Sequence, residues 1–449
     1  MPASPDVARE TVDDADDSRQ VSLLLGVLFG LAGMGSSSAA VVLPILGPDL
    51  GVTPGVAAWT ISLYVLTLAV TTAVYGRVSD LVGVRAPLLA GLVLMSVGAL
   101  VAALAPTFGV LVSARLLQGA GAAAVPTLGV AILSARYEGR VRALAFGRLA
   151  GTAAALSCFG PLAGGLVEGL LGWRAVLALP ILGMLVVPFL WRALTAGGSG
   201  ARLDIVGAVL VALTAAGMVL LVQSPSAGLL VALVGVSLML LGVPAVTASV
   251  RRRPHGFLPL EVIRNAVVVR SAIAAAAVPA SWFALLIALP EVLLADGWKA
   301  WQVGLAMVPS GVVALAVPRV AGPLLDRIGA GRSLAVAAVA SSVALLVAAA
   351  GASWVHAPTL VAAIVLVTFG FGLGQPALSA VVGDAVAVDV RGVALGISTL
   401  LFLVGGSIGS AVVAGLGGPW GLDVAVAVLA VLPLLGLLVL RPTLRPRSG

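Results

Sequence analysis

The sequence has one cysteine, Cys158, and two histidines, His255 and His356. One cysteine excludes an internal disulfide, and so few thiols and imidazoles exclude a zinc site. Of the 25 basic residues only Lys299 is a lysine, and charged residues of every kind make up 10% of the chain. A soluble domain carries about 25% charged residues, so a water-soluble globule is excluded. No G-x4-G-K-[ST] phosphate loop occurs, so an ATP-driven device of that kind is excluded. No paired acids or histidine cluster lie inside an apolar run, so nothing points to an intramembrane enzyme. What is present is apolar: 61% hydrophobic residues, at a mean hydropathy of +1.18. That is the reverse of a disordered composition, and it leaves a polytopic membrane protein.

A spanning helix needs roughly 20 apolar residues. Fourteen runs qualify, from Leu23–Ile45 to Val424–Leu440, and they include Val56–Tyr75, Phe108–Leu133, Leu144–Leu166, Ala175–Leu190, Ile205–Val222 and Ser271–Leu293. They are too long and too uniform for the alternating strands of an outer-membrane barrel. With the N-terminus inside, the inward connections hold Arg77 and Arg85, Arg136, Arg140 and Arg142, and Arg251, Arg252, Arg253, Arg264 and Arg270. The outward connections hold only Arg174 and Lys299. Positive charge stays inside, so both termini are expected in the cytoplasm. Trp59, Trp173, Trp298, Trp301, Trp354 and Trp420 fall at the outer boundary, as an aromatic belt would. Trp282 sits mid-span. The acidic start, Asp6 to Asp17, is unlike a secretory signal and reads as a disordered cytoplasmic tail over 1–20.

A repeat divides the chain. Gly76-Arg77-Val78-Ser79-Asp80-Leu81-Val82-Gly83 with Arg85 follows the second run, and Gly322-Pro323-Leu324-Leu325-Asp326-Arg327-Ile328-Gly329 with Arg332 follows the tenth. Both read G-x3-D-x2-G. The glycines allow a tight turn, and the aspartate can cap a helix or pair with an arginine across a gap between halves. Two related halves suit a secondary transporter. The expected organisation is a six-helix bundle over 21–193, an inserted pair over 204–248, a cytoplasmic linker over 249–270, a second bundle over 271–440 and a tail over 441–449.

These loops resemble the signature of the major facilitator superfamily. Arg115-Leu116-Leu117-Gln118-Gly119-Ala120-Gly121 is similar to its R-x2-Q-G-x-G motif, and Gly147 with Gly160-Pro161-Leu162-Ala163-Gly164-Gly165 to the motif of its drug–proton antiporters. Gly172-Trp173-Arg174, Leu203-Asp204-Ile205 and Pro259-Leu260-Glu261 resemble the fourteen-helix branch of tetracycline and multidrug exporters. The resemblance implies an all-α fold of two six-helix bundles plus two inserted helices. It implies gating at Gly76, Asp80, Gly83, Arg85, Gly322, Asp326, Gly329 and Arg332. It places proton coupling at Arg115 and exchange control at Gly147, Gly160, Pro161, Gly164 and Gly165. It implies a monomer in the bacterial cell (inner) membrane, with no cofactor or metal.

The residues themselves add physical reasons. An unpaired arginine at mid-membrane costs, by some scales, about 2.5–3.5 kcal/mol, so Arg115 is expected to face the bundle interior. Arg148, one turn into the fifth run, is expected to snorkel to the inner headgroups. Cys158 is expected to be packing. Gly35 stands where many fourteen-helix antiporters carry an aspartate. The one acid left within a span is Glu291, beside Pro290. A carboxyl shut away from water holds its proton at neutral pH, so Glu291 is the candidate proton or cation site. Ser36, Ser37, Tyr64, Gln118, Trp282, Gln375 and Ser398 are polar or aromatic within spans and are the pocket candidates, with helix–helix contact as the alternative for each. The leading reading is proton-coupled efflux of small amphipathic drugs. Export of an endogenous metabolite or self-made antibiotic, an uncoupled carrier and a non-transporting sensor remain beside it. The partners expected are the substrate, protons and lipid, and not nucleic acid.

Overall fold

The computed structural model describes residues 5–137, 139–191, 194, 205–252, 260–386 and 391–444. Within its helices, the side chains of a few stretches, among them 5–15, 76–77, 80–81 and 391–393, lie outside the description. Among the described residues the secondary structure is all helical.

Fourteen helical segments follow the fourteen apolar runs. They are α1 (Pro5–Asp49), α2 (Trp59–Val82), α3 (Arg85–Ala103), α4 (Phe108–Arg136), α5 (Gly139–Leu171), α6 (Trp173–Leu190) and α7 (Ile205–Ala227). Then come α8 (Leu229–Arg252), α9 (Ala266–Ala295), α10 (Ala300–Ile328), α11 (Ala330–Ser353), α12 (Ala357–Ala385), α13 (Arg391–Trp420) and α14 (Leu422–Thr443). Thirteen helices among the described residues are long and apolar enough to cross a membrane; α7 holds the shorter apolar stretch Val209–Leu221.

Several helices depart from their predicted runs. α1 begins at Pro5 and takes in most of the segment read as a disordered tail. At 45 residues and about 1.5 Å per residue, it is longer than a hydrocarbon core of about 30 Å requires. In α6 a 3-10 stretch, Leu179–Val186, replaces α-helix next to Pro180, whose ring cannot continue the regular ladder. The linker contains a one-turn helix, Leu260–Arg264, and Asn265 caps α9 by accepting from the Val267 and Val268 amides at 3.0 and 3.3 Å.

Packing makes the two halves equivalent. In the first, α1 packs on α5, and α3 on α4 and α6; in the second, α9 packs on α13, and α11 on α12 and α14. Between halves α2 meets α13 and α5 meets α10, which is one reciprocal pairing of second and fifth helices. The turns repeat too. Gly83 (φ 77°) and Gly329 (φ 81°) close the second-to-third connections, and Gly172 (φ 79°) and Gly421 (φ 90°) the fifth-to-sixth. These are left-handed conformations that glycine adopts without a Cβ clash. The second pair escaped the sequence reading because Gly172-Trp173-Arg174 and Gly421-Leu422-Asp423 share only the glycine. α7 packs on α2, α13 and α8 and so covers the α2–α13 seam, while α8 touches the bundle chiefly through α7.

Candidate functional site

The two ends of the bundle differ. At the tryptophan-rich end one core joins both halves: Leu43 and Leu46 of α1 share it with Phe283 to Leu289 of α9, Val303 of α10 and Val413 of α13. At the arginine-rich end the second half has a core of its own, with Ala272 and Val278 of α9, Val317 of α10, Leu373 of α12 and Ala394 of α13. Glycines report the same asymmetry. A Cβ on Gly165 of α5 would lie 2.8 Å from Trp301 Cα of α10. One on Gly304 would lie 2.6 Å from the Pro161 carbonyl oxygen. At Gly147, Gly151 and Gly396, nearer the arginine-rich end, it would meet no described atom within 4 Å. Among the described residues the halves are therefore closed together at the tryptophan-rich end and parted at the other.

The closed end holds a polar cross-link. Ser62 of α2 and Ser410 of α13 share a hydrogen bond of 2.7 Å between their hydroxyls. The α5 motif serves two contacts. Gly160 and Gly164 seat α5 against Ser37 and Ser38 of α1 within one half, whereas Gly165 and the Pro161 carbonyl meet α10 of the other. Cys158 is buried beside Gly311 of α10, as packing.

Arg115 is fully buried inside the first half, as expected. Its Nε donates to the Thr60 carbonyl at 2.9 Å and its Nη1 to Gln118 Oε1 at 2.6 Å. Its guanidinium lies 4.3 Å over the Tyr64 ring, and the Tyr64 hydroxyl donates to the Ala32 carbonyl at 2.7 Å. Gly35 completes this cluster: a Cβ there would lie 3.3 Å from Tyr64 Oη and 3.6 Å from Gln118 Nε2. Of the pocket candidates, Tyr64 and Gln118 thus meet at Arg115. Ser36 is buried next in sequence, and the Ser37 and Ser398 hydroxyls donate to carbonyls of their own helices, Gly33 and Ala394.

Trp282 and Gln375 lie in the other half. Trp282 stacks on Phe371 at 5.0 Å between centroids and packs edge-on to Phe283, and its Nε1 donates to Thr368 Oγ1 at 3.3 Å. Thr368, Phe371 and Gln375 follow one another at helical spacing on one face of α12, and Gln375 is exposed. Phe371 and Thr368 escaped the sequence reading because each is unremarkable in an apolar run until Trp282 is seen against it. Glu291 is half-buried on the last turns of α9, far along the chain from Arg115, and the two are not brought together in one contact.

The structure departs from several readings. The repeated motif is helix, not loop: α2 runs through Gly76 to Val82 and α10 through Gly322 to Ile328, and the turn is only Gly83 or Gly329. The side chains of Gly76 and Asp80 lie outside the described residues. Asp326 and Arg332 are exposed, and the ion pairs among the described residues are Arg136–Asp17 and Arg174–Asp49. Arg85 instead stacks on Trp191, 3.6 Å from the ring centroid. Arg148 reaches along α1, where its Nη1 donates to Ser18 Oγ at 3.3 Å. Trp173 is buried rather than lipid-facing, because Asp49 accepts its Nε1 at 2.9 Å.

Beside Ser18, Asp17 accepts from Arg136 Nε at 2.9 Å and from the Tyr137 hydroxyl. Partial burial pushes the Asp17 carboxyl up. The hydrogen bonds from Arg136 and Tyr137, with the Arg136 charge, outweigh that and hold it below its usual 3.8. Among the described residues no group of His, Cys, Asp and Glu could hold a metal ion.

The family model of the Major Facilitator Superfamily matches residues 25–204 and 271–449. The cephamycin export protein of Amycolatopsis lactamdurans is 31% identical over 408 residues, covering 84% of this chain and 80% of its own. An uncharacterised transporter of Escherichia coli strain K12 is 25% identical over 88% of this chain and 87% of its own. The methylenomycin A resistance protein of Bacillus subtilis strain 168 is 27% identical over 49% of this chain and 48% of its own. Among solved structures, a POT family transporter in complex with 5-aminolevulinic acid aligns over 95% of this chain and 96% of its own, with a TM-score of 0.72 and 14% identity, which speaks to the fold.

Proposed function

This chain belongs to the Major Facilitator Superfamily, is a multi-pass membrane transporter and not an enzyme, and we propose that it couples proton entry to the export of small amphipathic antibiotics or drugs. The observation that carries the reading is the placement of α5. Its Gly165 and Pro161 carbonyl, part of the stretch that resembles the drug–proton antiporter motif, meet α10 where the two halves close, while Gly160 and Gly164 seat the same helix on α1. A relative named for cephamycin export and another named for methylenomycin A resistance support the direction of transport.

Arginine placement supports a cytoplasmic parted end, and on that reading this is the state that loads cargo from inside. Both termini are then cytoplasmic, all fourteen helices span, and the protein sits as a monomer in a bacterial inner membrane. The family match interrupted between 204 and 271 supports reading α7, α8 and the linker as an insertion between two six-helix bundles. Trp282, Phe371 and Gln375 offer an aromatic and amide wall to the cargo, and Glu291 is the proton-carrying acid. The relatives' names equally favour a producer's own antibiotic as the cargo.

The test is accumulation of tetracycline and of a cephalosporin panel in cells expressing the protein. Export predicts lower accumulation that an uncoupler abolishes. Equal accumulation with and without the protein across the panel contradicts it.

A further inference from the structure

The two lateral seams between the halves are built alike and covered differently. α2 meets α13 along one, and α5 meets α10 along the other. The sequence repeat makes them comparable, because Leu66, Ala69 and Val70 stand as far ahead of Gly76 as Val312, Leu315 and Ala316 stand ahead of Gly322. The three α2 residues are buried in one core with Leu400 and Val404 of α13 and Val219 of α7. Their α10 counterparts are exposed, Val312 at 57% and Leu315 at 37%. The difference is α7, which packs on both α2 and α13. Besides α1, no described helix packs on both α5 and α10.

The uncovered seam is closed over only part of its length. Gly165, Cys158, Gly151 and Gly147 follow one another on one face of α5, and Gly304, Gly311, Leu315 and Gly322 on one face of α10. From the tryptophan-rich end the contact continues as far as Cys158, where a Cβ on Gly311 would lie 3.2 Å from Cys158 Cβ. Beyond that point a Cβ on Gly151, Gly147 or Gly322 would meet no described atom within 4 Å. Leu315 and the exposed Pro318 give this stretch of α10 an apolar wall. Next to it Arg319 is exposed and donates back to the Leu315 carbonyl at 3.1 Å. A long cationic side chain on an apolar helix face reaches for lipid head groups, which sets the opening at the inner-leaflet level.

We propose that the open part of the α5–α10 seam is a sideways entrance, through which cargo dissolved in the inner leaflet passes into the space between the parted halves, and that α7 bars the same passage at α2–α13. The cargo admitted this way has an apolar body that partitions into hydrocarbon, since the walls offer apolar contact. The cargo half of the proposal rests on the exporter reading; the one-sided opening does not.

The test has two arms, both on the full-length protein in inside-out membrane vesicles. In the first, Gly151→Cys, Leu315→Cys and Ala69→Cys are exposed to pyrenylmaleimide dissolved in the lipid. Labelling of Gly151→Cys and Leu315→Cys with none of Ala69→Cys is expected. An unlabelled Gly151→Cys, or an Ala69→Cys labelled as fast as the other two, overturns the one-sided opening. In the second arm, export is followed for minocycline, which dissolves in lipid, and for cephalexin, which stays in water. Leu315→Lys, which sets a charge in an apolar mouth, is expected to raise the half-saturating concentration of minocycline about tenfold. The maximal rate, and the values for cephalexin, should stay as in the wild type. Should Leu315→Lys fail to insert, Leu315→Gln carries this arm. An unchanged value for minocycline, an equal rise for cephalexin, or the same rise in Leu233→Lys on the lipid-facing α8 overturns the entrance. Export of cephalexin alone overturns the entrance and leaves the exporter reading standing. If labelling is one-sided and no compound is exported, the exporter reading fails and the opening stands.

Discussion

Single side chains set the sharpest tests. Asp17 ties the start of α1 to the end of α4 through Arg136 and Tyr137. Its carboxyl lies below the usual 3.8 in the folded protein, so the tether contributes fully above that value and is lost as the pH falls through the lower, folded-state value. The Asp17 side chain is 41% exposed and Arg136 36%, so solvent screens the pair and Asp17→Asn should cost no more than about 1 kcal/mol near neutral pH. Thermal unfolding at pH 7 and again near pH 3 checks this: the difference between wild type and variant should shrink at the lower pH. Glu291→Gln should abolish proton-coupled transport while leaving the protein folded, because the amide keeps the shape and cannot ionise. Retention of coupling in that variant removes Glu291 from the proton path. The isolation of Arg115 was legible in the sequence, since an arginine in an apolar run must turn inward. The Thr60 carbonyl that accepts from it was not, nor the Ala32 carbonyl that accepts from Tyr64, because any residue supplies a backbone carbonyl.

Helices decide what can close. The α5–α10 contact relies on absent side chains: a Cβ on Gly304 would lie 2.5 Å from Leu162 Cα, and one on Gly165 2.8 Å from Trp301 Cα. Gly304→Leu should therefore hold the tryptophan-rich end apart, at about 1–3 kcal/mol of overpacking. The expected outcome is at least a tenfold loss of transport with the protein still in the membrane, and labelling of the tryptophan-rich end by an impermeant thiol reagent at a cysteine placed on Ser62. Across α2 and α13, Ser62→Cys with Ser410→Cys should form a disulfide on oxidation, stop transport, and release it on reduction. The native thiol, Cys158, is buried and will not compete. The apolar runs made the helices legible from their length alone. Where α2 and α10 would end was not, because Gly76 and Gly322 read as breakers while the chain turns only at Gly83 and Gly329, where φ becomes positive. The α5 glycines showed that something packs closely on them, but not that Gly160 and Gly164 take α1 while Gly165 takes α10.

At the scale of the molecule, the reciprocal contacts of α2 with α13 and α5 with α10 give two halves that can rock about a shared seam. A core that joins both halves at one end, with a separate core at the other, is one extreme of that motion. The sequence repeat pointed to two halves; which end is closed depends on long-range packing that no local pattern encodes. If the account is right, cargo enters from the arginine-rich end and protons enter from the opposite one. The most direct measurement is proton movement across proteoliposomes holding an imposed pH gradient, on adding tetracycline, carboxylate-bearing cephalosporins and lipophilic cations in turn. The account predicts proton flux triggered by at least one compound and absent in Glu291→Gln. Compound movement with no proton flux in the wild-type protein would contradict it.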